Sequence, residues 1–162
     1  MSAGPAAGAS VAAGAGDESH MRRALEAARR AALAGEPPIG ACLVRGGEVL
    51  ATASNCVIST LDITAHAEIA LIREACRRER TLDLGGCELY STVEPCPMCL
   101  AACHYARIDR IVYGASLADL HALTGGELLA GPGLSGGPAL TGGCLREESR
   151  ALLAAWAGRG AR

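Results

Sequence analysis

Residues 87–99 read CELYSTVEPCPMC and describe a strand that leads directly into a helix. The first seven residues form the predicted strand, and the Glu-Pro pair that follows ends it. Proline is favoured in the first turn of a helix, so Pro97 marks the start of the next element. Two cysteines, Cys96 and Cys99, therefore stand three residues apart at the start of a predicted helix and can point the same way.

Outside this junction, helices and strands alternate along the chain. The predicted elements are a helix from Asp17 or Ser19 to about Leu33, strands Ile39–Val44 and Glu48–Ala53, a helix His66–Glu79, the strand Cys87–Val93, a helix from Pro97, a strand Ile108–Tyr113 and a helix Arg146–Ala157. Gly46 and Gly47 supply a two-residue hairpin turn. The Gly-, Leu- and Pro-rich stretch 120–143 has no clear pattern. This order predicts an α/β domain with a largely parallel sheet and one antiparallel hairpin.

A second short segment, residues 64–68 with the sequence TAHAE, supplies the chemistry that the cysteines lack. Two thiolates and one imidazole suit zinc and leave a fourth position for water, as catalytic zinc sites require. The positive end of a helix favours the thiolate form of a cysteine. Glu68 can take a proton from water at the open position and pass it to a substrate. The pattern predicts Zn2+ bound by His66, Cys96 and Cys99.

Each of these residues also has an ordinary structural interpretation. A lone Cys-x-x-Cys can be a redox pair or half of a structural zinc site, for which Cys103 and His104 are further potential ligands. His66 alone would fit a buried histidine, and Glu68 alone would fit a solvated helix charge. Together, however, His-x-Glu followed by Pro-Cys-x-x-Cys is the pattern of zinc deaminases.

The chain resembles the cytidine/deoxycytidylate deaminase superfamily, in the branch of guanine deaminases, cytosine deaminases and tRNA adenosine deaminases. The resemblance spans about residues 20–115 and is carried by GEPPIGA (35–41), Asn55, DITAHAE (62–68), Leu89-Tyr90, EPCPMC (94–99) and Ala106-Arg107. It implies an α/β protein with the three-layer α/β/α cytidine deaminase-like fold, a five-stranded mixed sheet, and usually a dimer. It also implies His66, Cys96 and Cys99 as zinc ligands and Glu68 as the catalytic proton shuttle.

Three further residues are expected to contact the substrate. By resemblance, Asn55 binds the polar edge of a nucleobase, and Tyr105 lies where guanine deaminases carry an aromatic residue near the substrate. Ala41 is small enough for a base to approach the backbone closely. The alternatives are a turn-forming Asn55, tight strand packing at Ala41, and a core position for Tyr105.

A second catalytic acid is expected after the fourth predicted strand. Glu127 falls where guanine deaminases place an acidic residue near the substrate, counted without gaps from Cys99. Asp119 is the other carboxylate in this stretch. The ordinary alternative for Glu127 is a solvated loop carboxylate.

Composition bears on the substrate. The chain has 162 residues and a formal charge of −2, and its 15 basic residues are all arginines. A domain that grips a polyanion usually carries a basic stripe. We therefore expect a hydrolase that converts the exocyclic amine of a free nucleobase, guanine or a related purine or pyrimidine, to a carbonyl with release of ammonia. A tRNA adenosine deaminase is the alternative, and a non-enzymatic zinc-stabilised module is the third possibility.

The organisation of the chain is expected to be simple. Residues 1–16 are rich in Ala and Gly and are predicted to be a disordered tail, and residues 17–162 are predicted to be one zinc-dependent deaminase domain. We find no signal-peptide pattern and no apolar run long enough to span a membrane. The protein is therefore expected in the cytoplasm as a homodimer, with a small-molecule nucleobase as its partner, and with cysteines that bind metal or pack rather than form disulfides.

Overall fold

The computed structural model of the protein describes residues 15–124 and 138–157. These residues form a five-stranded sheet with helices on both faces. The elements are α1 (Ala15–Leu33), β1 (Gly40–Arg45), β2 (Glu48–Ser54), α2 (Val57–Thr60), α3 (Ala67–Glu79), β3 (Cys87–Val93), α4 (Pro97–Tyr105), β4 (Arg110–Ala115), α5 (Leu117–Thr124), β5 (Ala139–Thr141) and α6 (Arg146–Ala157).

The sheet has the order β2-β1-β3-β4-β5 and is mixed. β1 pairs antiparallel with β2 through the predicted turn, in which Gly46 and Gly47 both have positive φ. β3 is parallel to β4, and β4 is parallel to β5. The one predicted antiparallel hairpin is confirmed as β1–β2, but the prediction of a largely parallel sheet was wrong, because β1 is also antiparallel to β3. The crossover through α3 joins β2 to a parallel β3, and β1 lies between these two strands.

Alternation of side chains along the strands creates two cores, one on each face of the sheet. In β1, Leu43 joins the core that also contains Leu71 of α3 and Cys103 of α4. Its neighbour Cys42 joins the core formed with Met21 of α1. Helices therefore cover both faces, which confirms the predicted three-layer arrangement around a five-stranded mixed sheet.

Helix α1 packs directly on β1. A Cβ at Gly40 would overlap the carbonyl oxygen of Ala24 and would lie 2.5 Å from the backbone nitrogen of Ala28. The amide of Gly40 also donates a hydrogen bond to Thr92 Oγ1 at 3.1 Å. Glycine at this position lets the helix backbone contact the strand backbone, so its small size serves packing.

The boundaries of the predicted elements differ from the observed ones mainly after α4. The predicted strand from Ile108 begins instead at Arg110, because Arg107 turns the chain with φ of 61°. The unassigned stretch contains the end of α5 and the whole of β5. Glu127 lies outside the described residues. So does the predicted tail, apart from its last two residues, which form the first turn of α1.

Helix α6 forms over the residues predicted for it and contacts α1, α5 and β4. Glu148 on its first turn pairs with Arg22 and Arg29 of α1. None of the helices within the described parts of the chain is long and apolar enough to cross a membrane.

Candidate active site

Two helix N-termini bring three potential metal ligands together. His66 is the N-cap of α3, Cys96 is the N-cap of α4, and Cys99 lies in the first turn of α4. His66 Nδ1 lies 3.6 Å from Cys96 Sγ and 3.5 Å from Cys99 Sγ. Zinc–sulfur bonds of about 2.3 Å and zinc–nitrogen bonds of about 2.0 Å at a tetrahedral angle separate the two ligand atoms by about 3.5 Å. The spacing of the three side chains therefore fits a tetrahedral zinc ion.

Three residues form the set of potential metal ligands in the described part of the chain. His66, Cys96 and Cys99 form the one group of histidine, cysteine and carboxylate ligands within 4.8 Å of one another there. Cys103 is fully buried in the core, and His104 is exposed at the end of α4. Neither residue completes a four-ligand structural site, so a fourth position would be open to water.

Proton sharing among the three ligands perturbs their pKa values. A hydrogen bond from Cys99 lowers the pKa of Cys96 to about 4, and the same bond raises the pKa of Cys99. The hydrogen bond with Cys96 raises the pKa of His66. Two thiols and an imidazole that share protons at one point can share a cation instead. When the cation binds, it takes the place of those protons.

Glu68 stands in the first turn of α3 and is almost completely buried. Its Oε1 accepts a hydrogen bond from Ser91 Oγ at 2.8 Å. Burial raises the pKa of the carboxyl, while the hydrogen bond from Ser91 acts in the opposite direction. A carboxyl group with a raised pKa and a fixed orientation, two residues from the potential metal ligand His66, suits repeated proton transfer. Sequence analysis missed Ser91, although its place on β3 next to the cysteine motif is a signal that could have identified it.

A cleft opens beside the three ligands. Its inner part contains two of the potential metal ligands, the carboxyl group of Glu68 and the amide of Asn55. The residues that line it are Ile39, Asn55, His66, Glu68, Val93, Glu94 and Cys96. Its outer part is mostly apolar. On one side it is bounded by Pro37, Pro38, Val57 and Ile63, and on the other by Leu120 and Thr124 of α5 and Leu153 and Trp156 of α6. His66 lines both parts, so a ligand in the outer cleft, which has a volume of about 160 Å³, would contact it.

Asn55 is buried and lines both parts of the cleft. Its Oδ1 accepts the backbone N–H of Val57 at 3.1 Å, so its amide nitrogen is the group that it can present to a ligand. The side-chain oxygen of Asn55 therefore stabilises a turn, as the alternative interpretation predicted. Its side-chain nitrogen is still able to donate a hydrogen bond to a substrate. Glu36 holds the same loop, because its two carboxylate oxygens accept the N–H groups of Ile58 and Ser59 at 2.9 and 2.6 Å.

Two residues expected near the substrate lie elsewhere. Ala41 is fully buried in β1, between Ala53 of β2 and Ser91 of β3, and belongs to the core. Tight strand packing, the alternative interpretation, describes its position. Tyr105 is 84% exposed at the end of α4, so it does not belong to the core, and it lines neither part of the cleft.

The second acid expected after β4 stays a prediction. Glu127 lies outside the described residues. Asp119 is described, and its carboxylate is fully engaged by Ser116 at the start of α5 and by Arg146 and Arg150 of α6. The hydrogen bond from Arg146 is the main reason that the pKa of Asp119 lies well below its usual range. An acid held as a carboxylate by two arginines does not relay protons, so Asp119 is not a substitute for Glu127.

Comparison with known proteins places these residues in a family. Residues 15–115 match the family model described as the cytidine and deoxycytidylate deaminase zinc-binding region. The chain is 47% identical over 100 residues to the tRNA-specific adenosine deaminase of Aquifex aeolicus, a match that covers 62% of this chain and 66% of that protein. The match therefore spans just under two thirds of that relative's length.

Solved structures extend the similarity. A structure determined in work on A-to-I editing by tRNA deaminases at the wobble position has a TM-score of 0.72 and 40% identity, and covers 83% of this chain and 98% of that one. A structure of guanine deaminase from Nitrosomonas europaea has a TM-score of 0.79 and 27% identity, and covers 94% of this chain and 88% of that one.

Proposed function

The chain belongs to the cytidine and deoxycytidylate deaminase family, and on this premise we propose that it is a zinc-dependent hydrolytic deaminase that converts adenosine in tRNA to inosine. The observation that carries the reaction type is the group of His66, Cys96 and Cys99 at tetrahedral spacing, with Glu68 beside it. The substrate class is supported by 47% identity to a tRNA-specific adenosine deaminase.

His66, Cys96 and Cys99 would hold the zinc ion. A zinc ion bound there supplies the acidification of water that hydrolysis of an aromatic amine requires at neutral pH. Three protein ligands rather than four are what a catalytic site needs, because water must reach the remaining position.

Glu68 moves the protons of the reaction. It accepts one proton from the attacking water and donates it to the ring nitrogen next to the amine-bearing carbon. It then transfers the second proton of that water to the amine, which leaves as ammonia while the ring carbon becomes a carbonyl. Ser91 holds the carboxylate through these steps by its hydrogen bond to Oε1.

Asn55 and the cleft walls orient the base. The Asn55 amide can donate a hydrogen bond to an acceptor on the ring edge, and Ile39 and Val57 provide apolar surface for the ring face. A base embedded in a nucleic acid must leave the stack before an enzyme of this kind can reach it. A cleft that opens to the surface admits such an extruded base while the rest of the polymer stays outside.

A free purine is the second candidate substrate, and two observations favour it. The structural match to a guanine deaminase covers 94% of the chain, more than the match to the tRNA deaminase structure. The formal charge of −2 also offers no general attraction to a polyanion. The sequence identity to the tRNA-specific adenosine deaminase, 47% over 100 residues, is higher than the 40% over 103 residues to the guanine deaminase of Bacillus subtilis, and it favours tRNA as the substrate.

A substrate screen tests the proposal. Zinc-loaded protein is incubated with an unmodified tRNA anticodon stem-loop and, separately, with guanine, adenine and cytosine, and ammonia and inosine are measured from about 50 to 200 mM salt. The proposal expects inosine in the stem-loop and a rate that falls steeply with salt, because bound arginines release counterions from phosphates. Turnover of a free base with a shallow salt dependence, and none of the stem-loop, would establish the second candidate instead. The Glu68→Gln variant measures the uncatalysed background.

The homodimer implied by the family resemblance is also a proposal. Light scattering on the purified protein at several concentrations gives its mass directly. A mass of about twice 16.4 kDa is expected, and a monomer at all concentrations would contradict it.

A further inference from the structure

The carboxylate of Asp119 joins two helices. Asp119 lies in the first turn of α5, is 6% exposed, and accepts five hydrogen bonds. Two come from Ser116, within α5's own N-terminal turn. Three come from α6: Arg146 donates through Nε at 2.9 Å and Nη2 at 2.7 Å, and Arg150 donates through Nη1 at 2.8 Å. The two bonds from the Arg146 guanidinium and the third from Arg150 fix the orientation of these arginines relative to the Asp119 carboxylate, as well as their distance from it.

The two joined helices form one wall of the cleft. Leu120 is the residue after Asp119, and Leu153 lies three residues after Arg150, on the next turn of α6. Leu120 and Leu153 are buried and line the cleft together with Trp156. The ion pairs thus stand about one helical turn from the side chains that bound the substrate space.

Glu94 ties the same wall to the metal-binding segment. Its Oε2 accepts the backbone N–H of Leu117, the first residue of α5, at 2.9 Å. Glu94 precedes Cys96 by two residues and lines the inner cleft. A continuous series of contacts therefore runs from the metal-binding segment through α5 to α6.

We infer that Asp119 is a positioning residue for the substrate: through Arg146 and Arg150 it holds α6 so that Leu153 and Trp156 form the outer wall of the cleft. Removal of its charge releases α6 from α5 without touching the three metal ligands or Glu68. The expected consequence is weaker substrate binding with nearly unchanged chemistry. Because this role rests on the proposed function for its effect on turnover, its test needs a second readout that does not depend on the substrate.

The single tryptophan of the chain supplies that readout. Trp156 lies on α6 and lines the cleft, so its fluorescence reports where α6 sits. In Asp119→Asn, an amide NH2 faces arginine donors where a carboxylate oxygen accepted their bonds, so the pairs are lost while side-chain size is kept. We expect a longer emission wavelength for Trp156 and stronger quenching by acrylamide, because a tryptophan side chain that becomes more exposed meets more water and more quencher.

The chain offers a matched control in a second buried ion pair. Asp17 is 7% exposed and is held by two bonds from Arg110, at 2.9 and 2.8 Å. This pair joins α1 to β4 and lines neither part of the cleft. Asp17→Asn therefore removes the same kind of interaction from a comparably buried site, and measures what loss of a structural ion pair does by itself.

Kinetics then separate positioning from general loss of stability. Asp119→Asn is expected to raise KM about ten-fold, with kcat changed less than about two-fold and zinc content unchanged, since a group that only places the substrate affects binding more than chemistry. Asp17→Asn should leave KM and Trp156 emission at wild-type values. Arg150→Gln, which leaves the Arg146 pair in place, should give a smaller change in the same direction and serves as the folded substitute if Asp119→Asn does not fold.

Each outcome decides the role of Asp119. Equal changes in Asp119→Asn and Asp17→Asn, or unchanged Trp156 fluorescence in both Asp119→Asn and Arg150→Gln, would overturn it. A loss of kcat at unchanged KM would also overturn it. If neither the stem-loop nor a free base is turned over by the wild type, the proposed function fails, and the Trp156 measurements still decide whether Asp119 places α6.

Discussion

Ser91→Ala tests whether the proton shuttle depends on its hydrogen-bond partner. Ser91 is fully buried in β3, and Glu68, whose Oε1 receives the 2.8 Å bond from Ser91 Oγ, is 3% exposed. Alanine removes only the hydroxyl, so the strand and the metal ligands keep their places. A hydrogen bond to a charged group contributes about 1.5–3 kcal/mol. If that bond stabilises the transition state by this amount more than it stabilises the bound substrate, its loss lowers kcat by about 10-fold to 100-fold.

The assay compares kcat and zinc content for the variant and the wild type on the substrate found in the screen. Ser149→Ala is the matched control, because Ser149 is also buried and, among the described residues, its hydroxyl donates its hydrogen bond to the carbonyl of Leu145, which immediately precedes α6. The control should keep wild-type kcat. Wild-type kcat in folded, zinc-loaded Ser91→Ala would refute the idea that Ser91 orients Glu68.

Three further changes test the site and the fold. Glu68→Gln should keep zinc but lower kcat about 100-fold to 10,000-fold, because an amide cannot carry protons; near-normal turnover in a folded, metal-loaded variant would exclude Glu68 as the shuttle. Elemental analysis should find about one zinc per chain, with loss of metal in Cys96→Ser, and full zinc content in that variant would show that the metal lies elsewhere. Gly40→Ala should lower the free energy of unfolding by about 1–3 kcal/mol through overlap with the α1 backbone. Gly16→Ala, where a Cβ meets nothing within 4 Å, should not lower it, and equal melting temperatures for the two variants would contradict the packing argument.

The candidate metal ligands could be predicted, although His66 lies about 30 residues from the cysteines, because the two short motifs that contain them form a known pattern together. Within each motif the spacing is short: His66 and Glu68 lie at the N-terminus of α3, and Cys96 and Cys99 lie at the N-terminus of α4. The strand that leads to the cysteines was predicted at its observed bounds, since Pro95 marks its end unambiguously. Such short-range patterns combine turn chemistry with ligand chemistry, and both are written in consecutive residues.

The supporting contacts were not predictable because they join distant parts of the chain. Ser91 reaches Glu68 across 23 residues, and Arg150 reaches Asp119 across 31. In the sequence, Arg150 and Asp119 are ordinary charged residues. Whether they pair depends on how α5 and α6 pack against each other. For the same reason Tyr105 could be assigned to a helix but not to its solvent-exposed face.

The antiparallel pairing of β1 with β3 has a comparable cause. Alternating strands and helices predict parallel neighbours when each strand pairs with the next one along the chain. Here β1 lies between β2 and β3, so the crossover through α3 passes over it. The direction of β1 follows from which strands are neighbours in space, and hydrophobic patterning in the sequence is the same for either arrangement.

The candidate catalytic group and one wall of the cleft lie on different parts of the chain. The family match covers residues 15–115, which contain His66, Glu68, Cys96 and Cys99. The opposite wall of the cleft is formed by α5 and α6, which begin after that match ends. A shared reaction needs the same ligands and shuttle, whereas a free base and an extruded base in RNA need different surroundings for the ring. Similarity to both tRNA deaminases and guanine deaminases is therefore what a common set of catalytic residues would produce, and we expect the α5–α6 wall to contribute to discrimination between the two substrates.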